Sequence, residues 1–120
     1  MPHAPLEATV VFRREELVEG LEKLWPVARK EQNHAIVFEF PKGRTVIKAE
    51  ADGTHATAEL SQTHVSGKAR TIGFNQTYLT QYVKSVETET ISMRLFPQSI
   101  SEVVLFDGFR YRHLLMPLRA

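Results

Sequence analysis

The 120-residue chain has no cysteine, which excludes a disulfide framework and any thiolate metal site. No apolar run approaches the roughly 18 residues of a membrane span. The start, Met1-Pro2-His3-Ala4-Pro5, lacks the charged and apolar parts of a signal peptide, so the expectation is a cytoplasmic protein. Charge of one sign is also missing. Fifteen Lys and Arg stand against fourteen Asp and Glu, for a net charge of +1. The pI of about 8.1 falls short of the strongly basic balance of dedicated nucleic-acid binders. Any DNA affinity then has to come from a local arrangement of charge.

Catalytic signatures are absent as well. The chain contains no HExxH, P-loop, GxGxxG or GxSxG pattern. Its five histidines, His3, His34, His55, His64 and His113, show no metal-ligand spacing. The expectation is a protein that is not an enzyme and needs neither metal nor cofactor.

What remains is an ordinary globular composition, 42% apolar, long enough for one domain with a core of its own. Residues 1–7 read as a tail and 8–120 as a single domain. Thr9 to Phe12 predicts a strand. Leu17, Leu21 and Leu24, with Val18 beside them, mark one face of a helix over Glu15–Leu24, which Pro26 ends. Residues 27–34 read as a connection. Strands follow at His34–Phe40, Thr45–Ala51 and Thr54–Leu60, with Ser61–Ser66 as a polar connection. Lys68–Phe74 predicts another strand, and Asn75 is placed to cap the helix after it. That helix presents Leu79, Val83 and Val86, with Tyr78 and Tyr82 on a neighbouring stripe that reads as helix packing. Thr90–Phe96 alternates as a strand. The run from Val103 to Leu115 predicts a hairpin turning at Asp107-Gly108, a pair suited to a type I′ turn.

The order strand, helix, three strands occurs twice, over about residues 8–60 and 68–118. Phe12/Phe74, Leu17/Leu79, Leu21/Val83 and Leu24/Val86 are 62 apart, whereas Ile36/Ile91, Asp52-Gly53/Asp107-Gly108 and Leu60/Leu115 are 55 apart. A longer helix-to-strand connection in the first half explains the change. One pairing fails, because Ile47 falls opposite Glu102. Two β-α-β-β-β units predict an α+β fold with two helices on one face of antiparallel sheets.

The segment Gly73-Phe74-Asn75 with Tyr78-Leu79, and the terminal Met116-Pro117-Leu118-Arg119, resemble the C-terminal domain of the bacterial DNA sliding clamp, the beta subunit of DNA polymerase III. Phe12 to Leu21 fits more loosely. The resemblance implies the sliding-clamp fold and no catalysis. It also implies half of a groove for short Gln/Leu/Phe-type peptides carried by polymerases, the clamp loader and repair proteins. The implied groove positions are Tyr78, Ile100, Glu102, Leu114, Met116, Pro117, Leu118 and Arg119. Met and Leu would supply a soft apolar floor and Tyr78 a ring wall with a polar tip. The family often ends in Leu where this chain has Ala120, and usually has a small residue in place of Glu102.

Clamp helices line the hole through which DNA passes. The implied DNA-facing cations here are Arg13, Arg14, Lys23 and Lys84, set against Glu15, Glu16, Glu19 and Glu22. Three readings of function remain, and the first two rest on the resemblance. Copies of the chain would assemble into a homo-oligomer at DNA as a replication or repair processivity factor. Alternatively, the chain would modulate a clamp by competing for its peptides or docking on the clamp itself. A structural dimer outside replication is the third.

Overall fold

The computed structural model describes residues 8–95, together with the backbone of strands 104–108 and 111–115. Expectations that fall on the 1–7 tail, on Ile100, Glu102 and Met116 to Arg119, and on the hairpin tip at 109–110 lie outside the described residues. The elements run β1 (Ala8–Arg13), α1 (Arg14–Ala28), β2 (Ala35–Glu39), β3 (Val46–Ala51), β4 (Thr54–Glu59), β5 (Thr63–Gly67), β6 (Ile72–Asn75), α2 (Gln76–Ser85), β7 (Thr90–Leu95), β8 (Val104–Gly108) and β9 (Tyr111–Leu115), with a short 3-10 turn at Pro41–Gly43. The fold is α+β. One sheet has the order β5-β1-β7-β8-β9, the other β4-β3-β2-β6, and every pairing is antiparallel.

Alternation decides which residues face inward. Val10, Phe12, Ile36, Phe38, Ile47, Ile72, Phe74, Ile91 and Met93 are buried on their strands. Leu17, Leu21 and Leu24 of α1, and Leu79 and Val83 of α2, close the core from the helix side. Phe38 holds the sheets together at its centre. Its ring lies edge-on to Phe12 and to Phe74, each at 5.7 Å between centroids.

The repeat is visible bond by bond. Phe12 pairs with Ile91 and Phe74 with Ile36, the same pairing with the halves exchanged. The Arg14 amide donates to the Glu89 carbonyl, and the Gln76 amide, 62 positions on, donates to His34, the counterpart of Glu89. Side chains repeat the exchange. Arg14 Nε donates to the Val83 carbonyl at 3.0 Å, and Gln76 Nε2 donates to the carbonyl of Leu21. The first residue of each helix thus clasps the backbone of the other, and the two helices run antiparallel side by side.

Four expectations are corrected. Pro26 does not end α1, which continues to Ala28. Proline costs a helix the bond from its missing N–H, but Pro26 sits in the last two turns with its ring outward. Val27 and Ala28 behind it are buried, and their burial carries the helix on. The supposed connection at 61–66 contains β5, an edge strand on β1 that buries only part of Val65. The strand expected over Lys68–Phe74 starts only at Ile72. The last hairpin forms, but Asp107 and Gly108 lie within β8, opposite Arg112 and Tyr111, so the turn is not theirs. The corresponding pair in the first half, Asp52-Gly53, does make the turn, with φ of 52° and 77° in the left-handed region that a type I′ turn requires.

Candidate functional site

Tyr78 is placed by the start of α2. Asn75 caps the helix by accepting from the Thr77 amide at 2.9 Å and the Tyr78 amide at 3.4 Å. The buried stripe Leu79, Tyr82 and Val83 then fixes the rotation of the helix, which turns Tyr78 outward to 60% exposure. The two tyrosines therefore separate. Tyr82 packs into the core, and Tyr78 does not. Of the other implied groove positions, only the backbone of Leu114 is described; it lies in β9 opposite Leu105.

The implied DNA-facing cations do not form one patch. Arg13 is exposed at the end of β1, paired with Thr90. Arg14 is half-buried, with its Nε committed to Val83, next in sequence to the exposed Lys84. Lys23 stands nine residues along α1 from Arg14, about 13 Å by helical rise. Between them Glu15, Glu19 and Glu22 are exposed on α1. Glu16 is turned away from this face. Its carboxylate accepts from the Ser61 amide and hydroxyl and from the Gln62 amide, fastening α1 to the turn after β4.

A cleft of about 430 Å³ opens between the helices, lined by Glu22, Trp25, Gln76, Thr77, Thr80, Gln81 and Lys84. Gln76 is only 3% exposed, and among the described residues its Oε1 has no hydrogen-bond partner, nor has the Thr80 hydroxyl. Trp25 is 37% exposed, and its ring is met by His34 edge-on at 5.1 Å. The His34 Nδ1 and Thr77 hydroxyl share a hydrogen bond at 2.8 Å. Of the cleft's polar groups, Lys84 and Glu22 were singled out from sequence, and Gln76 and Thr80 were not. The repeat itself held the signal for Gln76, because it occupies the position of Arg14 in the other half.

Two helices clasped side by side over two antiparallel sheets, related by an internal exchange of halves, define a sliding-clamp domain. The sequence profile described as DNA polymerase III beta subunit, C-terminal domain, matches residues 3–119, and the chain belongs to that family. Its fold is similar to the DNA polymerase III beta chain of Streptococcus pneumoniae, with a TM-score of 0.85 at 20% identity over 100% of this chain and 32% of that one. The beta subunit of Thermotoga maritima gives 0.85 at 23%, again over 100% and 32%. A sliding clamp of Pseudomonas aeruginosa solved bound to griselimycin gives 0.80 at 24% over 100% and 32%. The chain thus spans about a third of the length of these clamps. A comparison with curated protein sequences gave no significant match.

Proposed function

We propose that this domain is a partner-binding module of the sliding-clamp type, receiving a short extended peptide against Tyr78 and the segment of Leu114, Met116, Pro117, Leu118 and Arg119, with Ile100 and Glu102 at its border. The observation that carries the reading is Tyr78. A large ring left 60% exposed in the first turn of a capped helix, while its neighbours on the stripe are buried, is a ready anchor for an apolar side chain. The match of residues 3–119 to the clamp family supports the choice of occupant. Polymerases, clamp loaders and repair proteins carrying Gln/Leu/Phe-type motifs are the partners this reading names.

Titration with a fluorescently labelled Gln-Leu-x-Leu-Phe-type peptide tests it. Saturable binding is expected, weakened roughly tenfold or more by Tyr78→Ala, Met116→Ala or Leu118→Ala. Binding that none of the three variants alters, or no binding, defeats the proposal. The clamp of Pseudomonas aeruginosa solved with griselimycin makes that compound a further probe: it would displace the peptide if the two surfaces correspond.

The exposed glutamates Glu15, Glu19 and Glu22 on α1 favour a second form of the same reading. In it the domain captures clamp-binding peptides, or docks on a clamp, without encircling DNA. Light scattering separates the two forms. A closed homo-oligomer supports assembly around DNA, and a monomer or dimer supports the modulator.

A further inference from the structure

We infer that the cleft between α1 and α2 is a nucleotide-binding site, taking a flat base against Trp25 and a phosphate at Lys84. The inference goes beyond the peptide-binding reading and does not depend on it. Four observations point to this ligand class. First, Gln76 and Thr80 line the cleft, and neither Gln76 Oε1 nor Thr80 Oγ1 has a hydrogen-bond partner among the described residues; Gln76 is almost wholly buried. A buried acceptor without a donor is costly, and a ligand N–H relieves it. The Gln76 amide cannot simply turn over to solve the problem, because its Nε2 is held by the Leu21 carbonyl. Second, Glu22 lines the same cleft, and its carboxylate offers a further acceptor.

Third, Trp25 is the sole tryptophan of the chain and is partly exposed at one end of the cleft. His34 meets it edge-on and steadies the ring. An indole held in this way is a stacking platform for a base. Fourth, Lys84 lines the cleft, is exposed and makes no ion pair among the described residues. It lies eight residues from Gln76, about 12 Å along α2. That separation suits a unit whose base edge and phosphate are both to be met. Neighbouring donors and acceptors on one planar edge are what the Gln76, Thr80 and Glu22 oxygens call for. The Glu22 carboxylate repels a phosphate from the base end and so sets the polarity of the ligand. The cleft volume is within the range of small-ligand sites.

The same chemistry is offered by a free nucleotide and by an unpaired unit of a DNA strand. Trp25 fluorescence reads both. The titrants are deoxyadenosine monophosphate, deoxyadenosine, inorganic phosphate, an oligo(dA) strand of about ten nucleotides and the matching blunt duplex. Saturable quenching by the monophosphate or by the single strand is expected. Deoxyadenosine should act more weakly, and phosphate alone should leave the emission unchanged. Lys84→Ala is expected to weaken binding about tenfold, and Thr80→Val several-fold. Circular dichroism confirms that each variant is folded.

A response to the monophosphate alone assigns the site to free nucleotide, and a response to the single strand alone assigns it to an unpaired strand. Duplex binding as tight as single-strand binding overturns the inference, because a paired base cannot enter the cleft. Silence up to about 1 mM ligand overturns it too, as does quenching unaffected by both variants. Since Tyr78 lies outside the cleft lining, the Tyr78→Ala variant should quench normally, which keeps failure of this inference distinguishable from failure of the peptide groove.

Discussion

Gly20 is buried on the side of α1 that faces β3 and the end of β4. A Cβ built on it would meet Ile47 Cδ1 at 2.9 Å and Leu60 Cδ2 at 3.1 Å. Alanine gains about 1 kcal/mol of helix propensity over glycine. Both contacted atoms are side-chain ends, but the two side chains are buried in the core and make room only by repacking, and overpacking of this kind costs about 1–3 kcal/mol. Gly20→Ala is therefore expected to destabilise by about 1 kcal/mol net, measured as a lower midpoint in urea; a stabilised variant would show that Ile47 and Leu60 repack freely. Asn75→Ala removes the acceptor for the Thr77 and Tyr78 amides, and should cost about 1 kcal/mol. Asn75 could be assigned its capping role from sequence, since the chemistry is local to three residues. The exposure of Tyr78 could not. Spacing puts Tyr78 and Tyr82 on one stripe, and only the angle at which α2 meets the sheets decides which is buried.

Between the helices, the two clasps differ in quality. Arg14, half-buried, gives its Nε to Val83, whereas Gln76 gives one N–H and buries an oxygen that receives nothing from the described residues. Removing a satisfied donor costs about 1 kcal/mol, but removing a donor together with an unpaired acceptor approaches neutrality. Gln76→Met is expected to change stability by less than about 1 kcal/mol, while abolishing the nucleotide-dependent quenching of Trp25. Thermal melts and the fluorescence titration on one sample check both halves. An outright loss of folding would mean that the glutamine is retained for structure.

The loop entering β3 carries a simpler pair. Hydrogen bonds from Arg44 hold the Glu59 carboxyl below its ordinary value of 4.5. Glu59 therefore binds fewer protons folded than unfolded at mildly acid pH. Its contribution is present above the unfolded value and is lost as pH falls through the folded one. Both side chains are well exposed, so the effect is small. Glu59→Gln should lower the melting temperature slightly at neutral pH and not at all once wild-type Glu59 is protonated. At this scale α1, α2 and eight of the nine described strands were legible through alternation, helical spacing and turn signals. β5 was not, because an edge strand reading Thr-His-Val-Ser-Gly buries too little to leave a pattern.

Over the whole molecule, the repeat was legible wherever both halves bury the same position. Its failure at Ile47 has a geometric cause. Phe38 pairs with Ile47, and Met93, the counterpart of Phe38, pairs with Phe106. The true mate of Ile47 is thus Phe106, 59 positions on (106 − 47), and not Glu102. A constant offset of 55 could not find it, because the register shifts by four between β7 and β8 and returns by β9. The Asp-Gly pairs were matched across that shift, which is why only the first makes a turn.

The same scale governs DNA. On α1 the exposed Glu15, Glu19 and Glu22 lie between Arg13, at the end of β1, and Lys23, and Arg14 is partly withdrawn into its clasp. Few phosphates can be neutralised by such a face, and each one neutralised contributes about −0.9 to the slope of log affinity against log salt. Wild-type protein is expected to bind duplex DNA weakly at about 50 mM salt, with a slope no steeper than about −3. Replacing Glu15 and Glu19 by glutamine removes repulsion without touching the cleft or the Glu16 anchor to Ser61. That double variant should bind duplex more tightly and leave Trp25 quenching by nucleotide as it was. If wild type already binds duplex tightly with a steep slope, the cations outside this face carry the contact, and the helices are not the surface that meets DNA.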